Sequence, residues 1–301
     1  VLTIFFESRA TVTDSFGAGE LLYAREIDEA VDAAVAAAPR CVVSHRYRAY
    51  RHGCRVVRRC HGQVERHLAV AHEFGFFARA RRRWRRRWLE PEAAFAGVSA
   101  AVTEDIATCC PSVESLVIEN AVDLDLLDRG RLGREDARSA LGLDPNAFCV
   151  GVLGRLHRKK EPLLALSAFE QTGLTGAELA FLGDGAEREA LEARADEDVR
   201  VVGFVPDGAR YLCAFDALLV ASANEPFGMI FVEAMAAGVP VVSRDRQSPR
   251  DILGPVGWYG EDAASLAEAL TVVQGAAPEV LEERRRIARE RVEERYSVPA
   301  L

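Results

Sequence analysis

Two glutamates eight positions apart, Glu225 and Glu233, are the acidic residues of this sequence whose setting best suits ligand chemistry. A helix is predicted from about Met229 to Gly238, and its first backbone amides would be unpaired. Free amides and the helix dipole together favour an anion at such a helix start. Two carboxylates beside an anion site suit a ligand with hydroxyl groups on both sides of a phosphate. A nucleotide sugar has this chemistry.

A strand, a loop, a helix and a second strand are predicted to position the two glutamates. Residues 217–221 and 239–243 are apolar and read as strands, with Glu225 in the loop that follows the first of them. Open α/β sheets bind ligands at the carboxyl ends of their strands, which is where this loop lies. The alternative is an ordinary parallel-sheet unit whose two glutamates only face water.

Cations that could bind phosphate follow another apolar segment, Phe148–Gly154. Arg155 and Lys160 come after it, and fixed cations there would stabilise the charge that develops on a leaving diphosphate. Lys159 could take the place of Lys160, and a basic turn exposed to solvent is the simpler alternative for the whole segment.

These motifs resemble those of retaining glycosyltransferases of the GT-B fold, family four. Residues 225–233 match the family's E-x7-E signature, and residues 154–160 match its Gly-Arg-Leu-x-x-x-Lys. The resemblance is strongest over residues 117–269. Two departures stand out, because Glu161 replaces a glycine and the loop 244–253 carries arginines where the family is richer in glycine.

The resemblance implies an α/β fold of two Rossmann-like domains that face each other across a cleft. The expected parts are an acceptor-side N-terminal domain (1–125), a nucleotide-sugar-binding domain (126–277) and a C-terminal helix (278–301) that could cross back to the first domain. The strand predicted over 40–45 follows the first helix sooner than in the family. The first domain is therefore either reduced or begins before this sequence.

The resemblance also implies roles for the site residues. Glu225 would accept hydrogen bonds from the donor sugar and Glu233 from the ribose. Arg155 and Lys160 would bind the diphosphate. The remaining donor contacts are expected from Gly17, Gly154, Val205, Phe227, Gly228, Met229 and Ile230.

Two of the implied site residues have plain structural alternatives. His61 would end a strand over 56–61 and orient the donor sugar from the first domain, although a histidine at a strand end is more often a turn residue. Gly17 and Gly19 would form the glycine-rich loop near the donor phosphate, or else an ordinary turn before a helix. The resemblance implies no metal and no cofactor apart from the nucleotide sugar as co-substrate.

Length and composition indicate a two-domain globular protein without a membrane-spanning helix. The chain has 301 residues, of which 49% are hydrophobic and 28% charged. No apolar run approaches the roughly 18 residues that a spanning helix needs. The seven cysteines are scattered, without the spacing of a metal site, which indicates a reducing compartment. We expect a cytoplasmic protein and leave open a position at the inner face of the membrane.

Positive charge is concentrated in the first third of the sequence. Residues 40–90 contain fifteen arginines and three acids, although the whole chain has a net charge of −8. Within this region Phe76–Leu89 is predicted to be helical, with Phe77, Trp84 and Trp88 on one face. That face either packs against the domain, with the arginines in solvent, or contacts an anionic membrane. Nucleic acid is discounted because no nucleic-acid recognition fold accompanies the charge.

The motifs together predict a retaining, metal-independent glycosyltransferase. Its donor would be a nucleotide-diphosphate sugar, and its acceptor would be anionic or lipid-linked. One alternative is a non-catalytic nucleotide-sugar-binding or membrane-docking subunit of the same fold. A second alternative is a sugar-nucleotide epimerase of that fold.

Overall fold

A computed structural model describes residues 2–5, 20–23, 27–89 and 93–300 of the chain. The chain divides into two compact units, Val1–Glu119 and Asn120–Leu301. Gly17 and the glycine-rich loop predicted around it lie outside the described residues.

The first unit contains two parallel sheets. A separate pair of short strands consists of β1 (Leu2–Phe5) and β2 (Glu20–Tyr23). The main sheet has four strands in chain order, β3 (Cys41–His45), β4 (Arg66–Ala71), β5 (Ala94–Gly97) and β6 (Ser115–Val117). The helices of this unit are α1 (Ile27–Ala36), α2 (Arg46–Arg59), α3 (Ala80–Leu89) and α4 (Ala100–Cys109).

The second unit is built on a six-stranded parallel sheet. Its strands are β7 (Phe148–Leu153), β8 (Ala177–Leu182), β9 (Val199–Gly203), β10 (Ala217–Val220), β11 (Val241–Arg244) and β12 (Trp258–Gly260), in the spatial order β12-β11-β10-β7-β8-β9. Its helices are α5 (Leu124–Gly130), α6 (Arg134–Leu141), α7 (Pro162–Thr172), α8 (Arg188–Glu192), α9 (Met229–Ala237), α10 (Gln247–Leu253), α11 (Ala263–Gln274) and α12 (Pro278–Arg291).

The core of the second unit lies on the sheet, which explains the continuous apolar segments of the sequence. All six residues of β8 are buried. Leu166 of α7 and Leu270 of α11 are fully buried in the same cluster as Leu179 and Phe181 of that strand. Burial of both faces is characteristic of parallel sheets covered by helices. The strand order also makes β7 and β10 neighbours, so the loops after them meet at one edge of the sheet.

The strand predicted over 56–61 is wrong, because residues 46–59 form α2. Tyr50, Gly53 and Cys54 recur at helical spacing and are buried. A Cβ on Gly53 would lie 2.4 Å from Ser44 Oγ, so the glycine lets α2 approach β3 closely. Two adjacent valines suggest a strand locally, but the longer helical pattern determines the structure.

The basic segment is helical only in its second part. Phe76 and Phe77 precede α3 and are buried, at 2% and 0% exposed. Trp84 and Trp88 lie on α3 and are 65% and 71% exposed, so packing of these two side chains against the domain is not observed. Their rings contact each other, with centroids 6.3 Å apart. The predicted single aromatic face is therefore wrong, because its phenylalanine belongs to the core and its tryptophans to the surface.

Residues 278–300 pack on the second unit. α12 contacts α9, and the amide of Val122 donates to the carbonyl of Tyr296 at 2.7 Å. Tyr296 is fully buried. These contacts connect the C-terminal segment to α9 and to Val122.

Candidate functional site

The structure brings Lys160 and Glu225 into direct contact. Lys160 ends a short turn after β7, and Glu225 lies in the loop after the neighbouring strand β10. The Lys160 Nζ atom lies 2.5 Å from Glu225 Oε2. The Lys160 side chain is 43% exposed and that of Glu225 only 8%. The carboxylate of Glu225 is thus buried, while the Lys160 side chain that pairs with it is partly exposed.

Neighbouring residues fix the loop that carries Glu225. Ser222 Oγ donates to Glu225 Oε2 at 3.1 Å. Ser248, on α10, donates through its hydroxyl to the carbonyl of Pro226 at 3.0 Å. The two contacts hold the glutamate and its loop in place, which favours a preorganised site.

The predicted helix start after this loop is confirmed. α9 begins at Met229, and Gly228 precedes it with φ 74° and ψ 77°. A Cβ at Gly228 would lie 2.7 Å from Glu225 Cγ and 2.7 Å from the ring of Phe231, so only glycine fits. Gly228, the residue before α9, has no side chain that could cap the first turn. The amides of Met229 and Ile230 at this helix start therefore remain available to an anion.

Glu233 lies on the second turn of α9 and is half-buried. Burial raises the pKa of the Glu233 carboxyl above its ordinary value. No hydrogen bond from another residue in the described ranges offsets this desolvation. The charged form of such a buried carboxylate is stabilised when a ligand hydroxyl donates a hydrogen bond to it.

Phe227, which is expected to contact the donor, has its ring in the protein core. Its side chain is 2% exposed and packs edge-to-face on Tyr296, with centroids 5.8 Å apart. The ring of Phe227 is therefore part of the core, although the residue lies between Glu225 and Gly228 in the sequence.

The remaining cations of the turn after β7 are open to solvent. Arg155, Arg158 and Lys159 are exposed, and none of them forms an ion pair within the described part of the chain. Gly154 has φ 135°, and a Cβ on Gly183 would lie 1.9 Å from the Gly154 carbonyl oxygen. This close packing of two glycine turns sets the direction of the segment that begins at Arg155.

Val205, one of the expected donor contacts, lies two residues after the end of β9 at Gly203 and is half-buried. Its neighbour Phe204 is 76% exposed.

His61 lies in the first unit, whereas the residues above lie in the second. It is exposed in a turn after α2 with φ 45°, before β4 begins. It therefore does not end a strand, because the strand expected before it is a helix. In the described ranges, no group of three or more His, Cys, Asp or Glu side chains is arranged to hold a metal ion.

Sequence reasoning missed His72, which directly follows β4. His45 ends β3, and its Nδ1 shares a hydrogen bond of 2.7 Å with His72 Nε2. Burial, with smaller contributions from His45 and Arg46, lowers the pKa of His72 to about 4. The signal was present in the sequence, since the apolar segment 68–71 leads directly into this histidine.

Sequence reasoning also missed an ion pair between Glu161 and Arg244. Arg244 Nη1 donates to Glu161 Oε2 at 2.8 Å. These two residues are departures from the family pattern, and each is the partner of the other.

The geometry can be compared with known proteins. Residues 147–274 match the family model described as Glycosyl transferases group 1. This segment, the group 1-like segment, is similar to that family. It contains Arg155, Lys160, Glu225 and Glu233, so the resemblance is confirmed over the part of the chain that carries these residues.

Curated relatives match a similar share of the chain. The D-inositol 3-phosphate glycosyltransferase of Mycobacterium marinum (strain ATCC BAA-535 / M) is 34% identical over 139 residues, 42% of this chain and 29% of the relative. The lipopolysaccharide core biosynthesis mannosyltransferase LpsB of Rhizobium meliloti (strain 1021) is 34% identical over 160 residues, 46% of this chain and 44% of the relative. The matched chain thus spans less than half the length of these relatives.

Solved structures match nearly the whole chain. Anabaena Alr3699/HepE in complex with UDP-glucose has a TM-score of 0.81 at 18% identity, over 99% of this chain and 88% of that chain. Sucrose-phosphate synthase from Thermosynechococcus elongatus has a TM-score of 0.71 at 20% identity, over 90% of this chain and 73% of that chain. With the parallel sheets of both units, these matches confirm the expected fold class, two Rossmann-like α/β domains of the GT-B type.

No helix in the described ranges is both long and apolar enough to cross a membrane.

Proposed function

We propose that this chain is a retaining glycosyltransferase that transfers a sugar from a nucleotide-diphosphate sugar without a metal ion. The observation that carries the proposal is the contact between Lys160 and Glu225 beside the uncapped start of α9. A cation, a buried acceptor and free amides there match the parts of such a donor. Similarity of the group 1-like segment and of the chain to named glycosyltransferases supports the same activity.

Each part of the donor has a proposed partner. Arg155, Lys160 and the first amides of α9 bind the diphosphate and stabilise the charge that develops as it leaves. Glu225 accepts hydrogen bonds from the sugar, and Glu233 accepts them from the ribose. The raised pKa of Glu233 is consistent with a carboxylate that lacks a donor until the ligand supplies one.

The proposed reaction exchanges one bond at the anomeric carbon for another on the same face. The bond from that carbon to the diphosphate oxygen breaks, and a bond to an acceptor oxygen forms. The acceptor proton passes to the leaving phosphate oxygen, so no carboxylate of the chain has to act as a nucleophile. Lys160 and Arg155 offset the negative charge that remains on the nucleoside diphosphate.

The proposed acceptor is anionic or lipid-linked and is taken by the first unit. Fifteen arginines over residues 40–90 and the exposed pair Trp84 and Trp88 support this part of the proposal. Names of relatives point the same way, since they include an enzyme for D-inositol 3-phosphate and enzymes of lipopolysaccharide core biosynthesis. The segment Phe76–Leu89 would then contact an anionic membrane surface through its second half.

A calorimetric screen in the presence of EDTA tests the donor proposal. UDP, GDP, ADP and their glucose, mannose and N-acetylglucosamine conjugates are titrated into the full chain, and release of nucleotide is followed in parallel. We expect one nucleotide class to bind and its sugar conjugate to release nucleotide slowly. Binding without release in the presence of lipid and phosphorylated acceptors would favour a non-catalytic subunit, and isomerised donor would favour an epimerase.

Matched variants locate the site. Lys160→Ala and Arg155→Ala should weaken binding of the diphosphate, whereas Lys159→Ala and Arg158→Ala should leave it within about twofold. The controls lie in the same turn, carry the same charge and form no ion pair within the described residues. Equal losses in all four variants would show that only the general charge of the turn matters.

A further inference from the structure

The pair formed by Glu161 and Arg244 joins two segments that are distant in sequence. The residues are 83 positions apart, and the Nη1–Oε2 distance is 2.8 Å. The Arg244 side chain is 12% exposed and that of Glu161 32%. Because both charges are largely removed from water, their attraction exceeds that of an ordinary surface pair.

Glu161 has a backbone conformation that residues other than glycine rarely adopt. Its φ is 50° and its ψ 49°, and it stands between the short turn Arg158–Lys160 and the start of α7. Its carbonyl accepts from the amides of Leu164 and Ala165, at 3.0 Å and 3.2 Å. Glycine would take the same conformation without strain. A glutamate here therefore indicates a role for its side chain.

The ion pair reaches across the strand that delivers Glu225. Glu161 follows β7 and Arg244 ends β11, and β10 lies between these strands. Lys160, directly before Glu161, contacts Glu225 in the loop after β10. The turn after β7 is thus tied to the two next strands by two ion pairs from adjacent residues.

Arg244 is itself held from the other side. Its Nη2 lies 3.8 Å from Glu261 Oε1, and Glu261 follows β12. Arg246 also pairs with Glu261. Arg244 is therefore fixed between two carboxylates, so it can serve as an anchor for Glu161.

We propose that the Glu161–Arg244 pair positions Lys160 for the donor diphosphate and so sets a preference for nucleoside diphosphates over monophosphates. Glu161 and Arg244 are positioning residues, since they act through the backbone that carries Lys160. The inference rests on the proposed function, because it assigns Lys160 to the diphosphate of that donor.

Nucleotide titrations on the full chain test this role. UDP and UMP, GDP and GMP, and ADP and AMP are titrated into wild type, Glu161→Gln, Arg244→Gln and Lys160→Ala. For the nucleotide that binds, we expect each variant to lose about tenfold in affinity for the diphosphate and less than twofold for the monophosphate. A residue with only a structural role would change both affinities equally.

Double variants show whether the pair acts through Lys160. Glu161→Gln should add nothing to the loss already caused by Lys160→Ala, because coupled residues are not additive. The exchange Glu161→Arg with Arg244→Glu should recover part of the diphosphate preference. Arg194→Gln is the control, since it removes an ion pair to Glu170 that involves neither Glu161 nor Arg244.

The outcomes separate this inference from the proposed function. Wild-type protein that prefers the diphosphate, with Glu161→Gln equal to it, would overturn the positioning role alone. Additive losses in the double variant with Lys160→Ala would overturn it as well. Wild-type protein that binds none of the six nucleotides would overturn the donor site, and the positioning role with it. If Arg244→Gln does not fold, Glu161→Gln still decides, because its side chain is nearer the surface.

Discussion

His45 ends β3, His72 directly follows the neighbouring parallel strand β4, and the two share a hydrogen bond of 2.7 Å between Nδ1 and Nε2. Burial lowers the pKa of His45, and it lowers that of His72 to about 4, with smaller effects from His45 and Arg46. Both imidazoles are therefore neutral at neutral pH. Only one proton is needed for the bond that joins them, so protonation of both would break it.

The histidine pair makes stability depend on pH. Because the folded pKa values lie below the ordinary 6.5, the unfolded chain binds more protons between pH 6.5 and about 4. We expect full stability above pH 6.5 and a progressive loss as the pH falls towards 4. Urea midpoints at pH 7.5, 6.0 and 5.0 measure this slope. His72→Asn should flatten the slope and His61→Asn, at an exposed turn, should leave it unchanged; an equal slope in His72→Asn would refute the assignment.

Glu233→Gln is expected to stabilise the protein and weaken donor binding. The raised pKa of Glu233 means that the charged form is disfavoured on folding, so stability falls as the pH rises through its titration. Removal of the charge should raise the free energy of unfolding at pH 7.5 by about 1 kcal/mol. Calorimetry should show weaker binding of the nucleoside diphosphate. Glu268→Gln, at an exposed position of α11, is the control for both measurements.

Gly228→Ala should damage both the fold and the site. A left-handed backbone and three contacts of 2.7 Å at the added Cβ should cost about 3 kcal/mol. The matched change is Gly142→Ala, where φ is 69° and nothing lies within 4 Å. That variant should lose only about 1 kcal/mol. Thermal unfolding compares the two, and equal losses would mean that close contact at Gly228 does not matter.

Trp84→Ala with Trp88→Ala should abolish membrane contact without loss of stability. Both side chains are more than half exposed, so unfolding free energy should change by no more than about 0.5 kcal/mol. Flotation with anionic and neutral liposomes measures the contact. Wild type should float with anionic vesicles only, and the double variant with neither. Flotation that is unchanged in the double variant would remove these tryptophans from the proposed surface.

The unit around Glu225 was predictable because its signals are local. Apolar segments, Pro226, Gly228 and Gly238 together define strand, loop and helix, and the helix ends at Gly238 with φ 71°. Parallel strands then bring Lys160 to Glu225 through the order of the sheet. The chemistry of the site follows from residues whose neighbours in sequence already determine their position.

Other features depended on contacts that no local pattern contains. The valines at 56–57 indicate a strand by themselves. Burial of Tyr50 and Gly53 against the four-stranded sheet of the first unit selects a helix instead. Phe77 is drawn into the core by packing, whereas Trp84 is left in solvent. Glu161 and Arg244 form an ion pair but are 83 positions apart. In the sequence, each therefore stands only as an unexplained departure from the family pattern.

The turn Arg158–Lys160 contains both lysines of the sequence. Every other basic side chain, apart from the histidines, is an arginine. Reagents that modify lysine amines therefore meet side chains at only this one place. Lys159 is open to solvent, while Lys160 shares its ammonium group with Glu225. A protease that cleaves after lysine has its two cleavage sites there as well. Mass spectrometry of the peptide that contains Lys159 and Lys160 would thus follow occupancy of the site directly, without any engineered label.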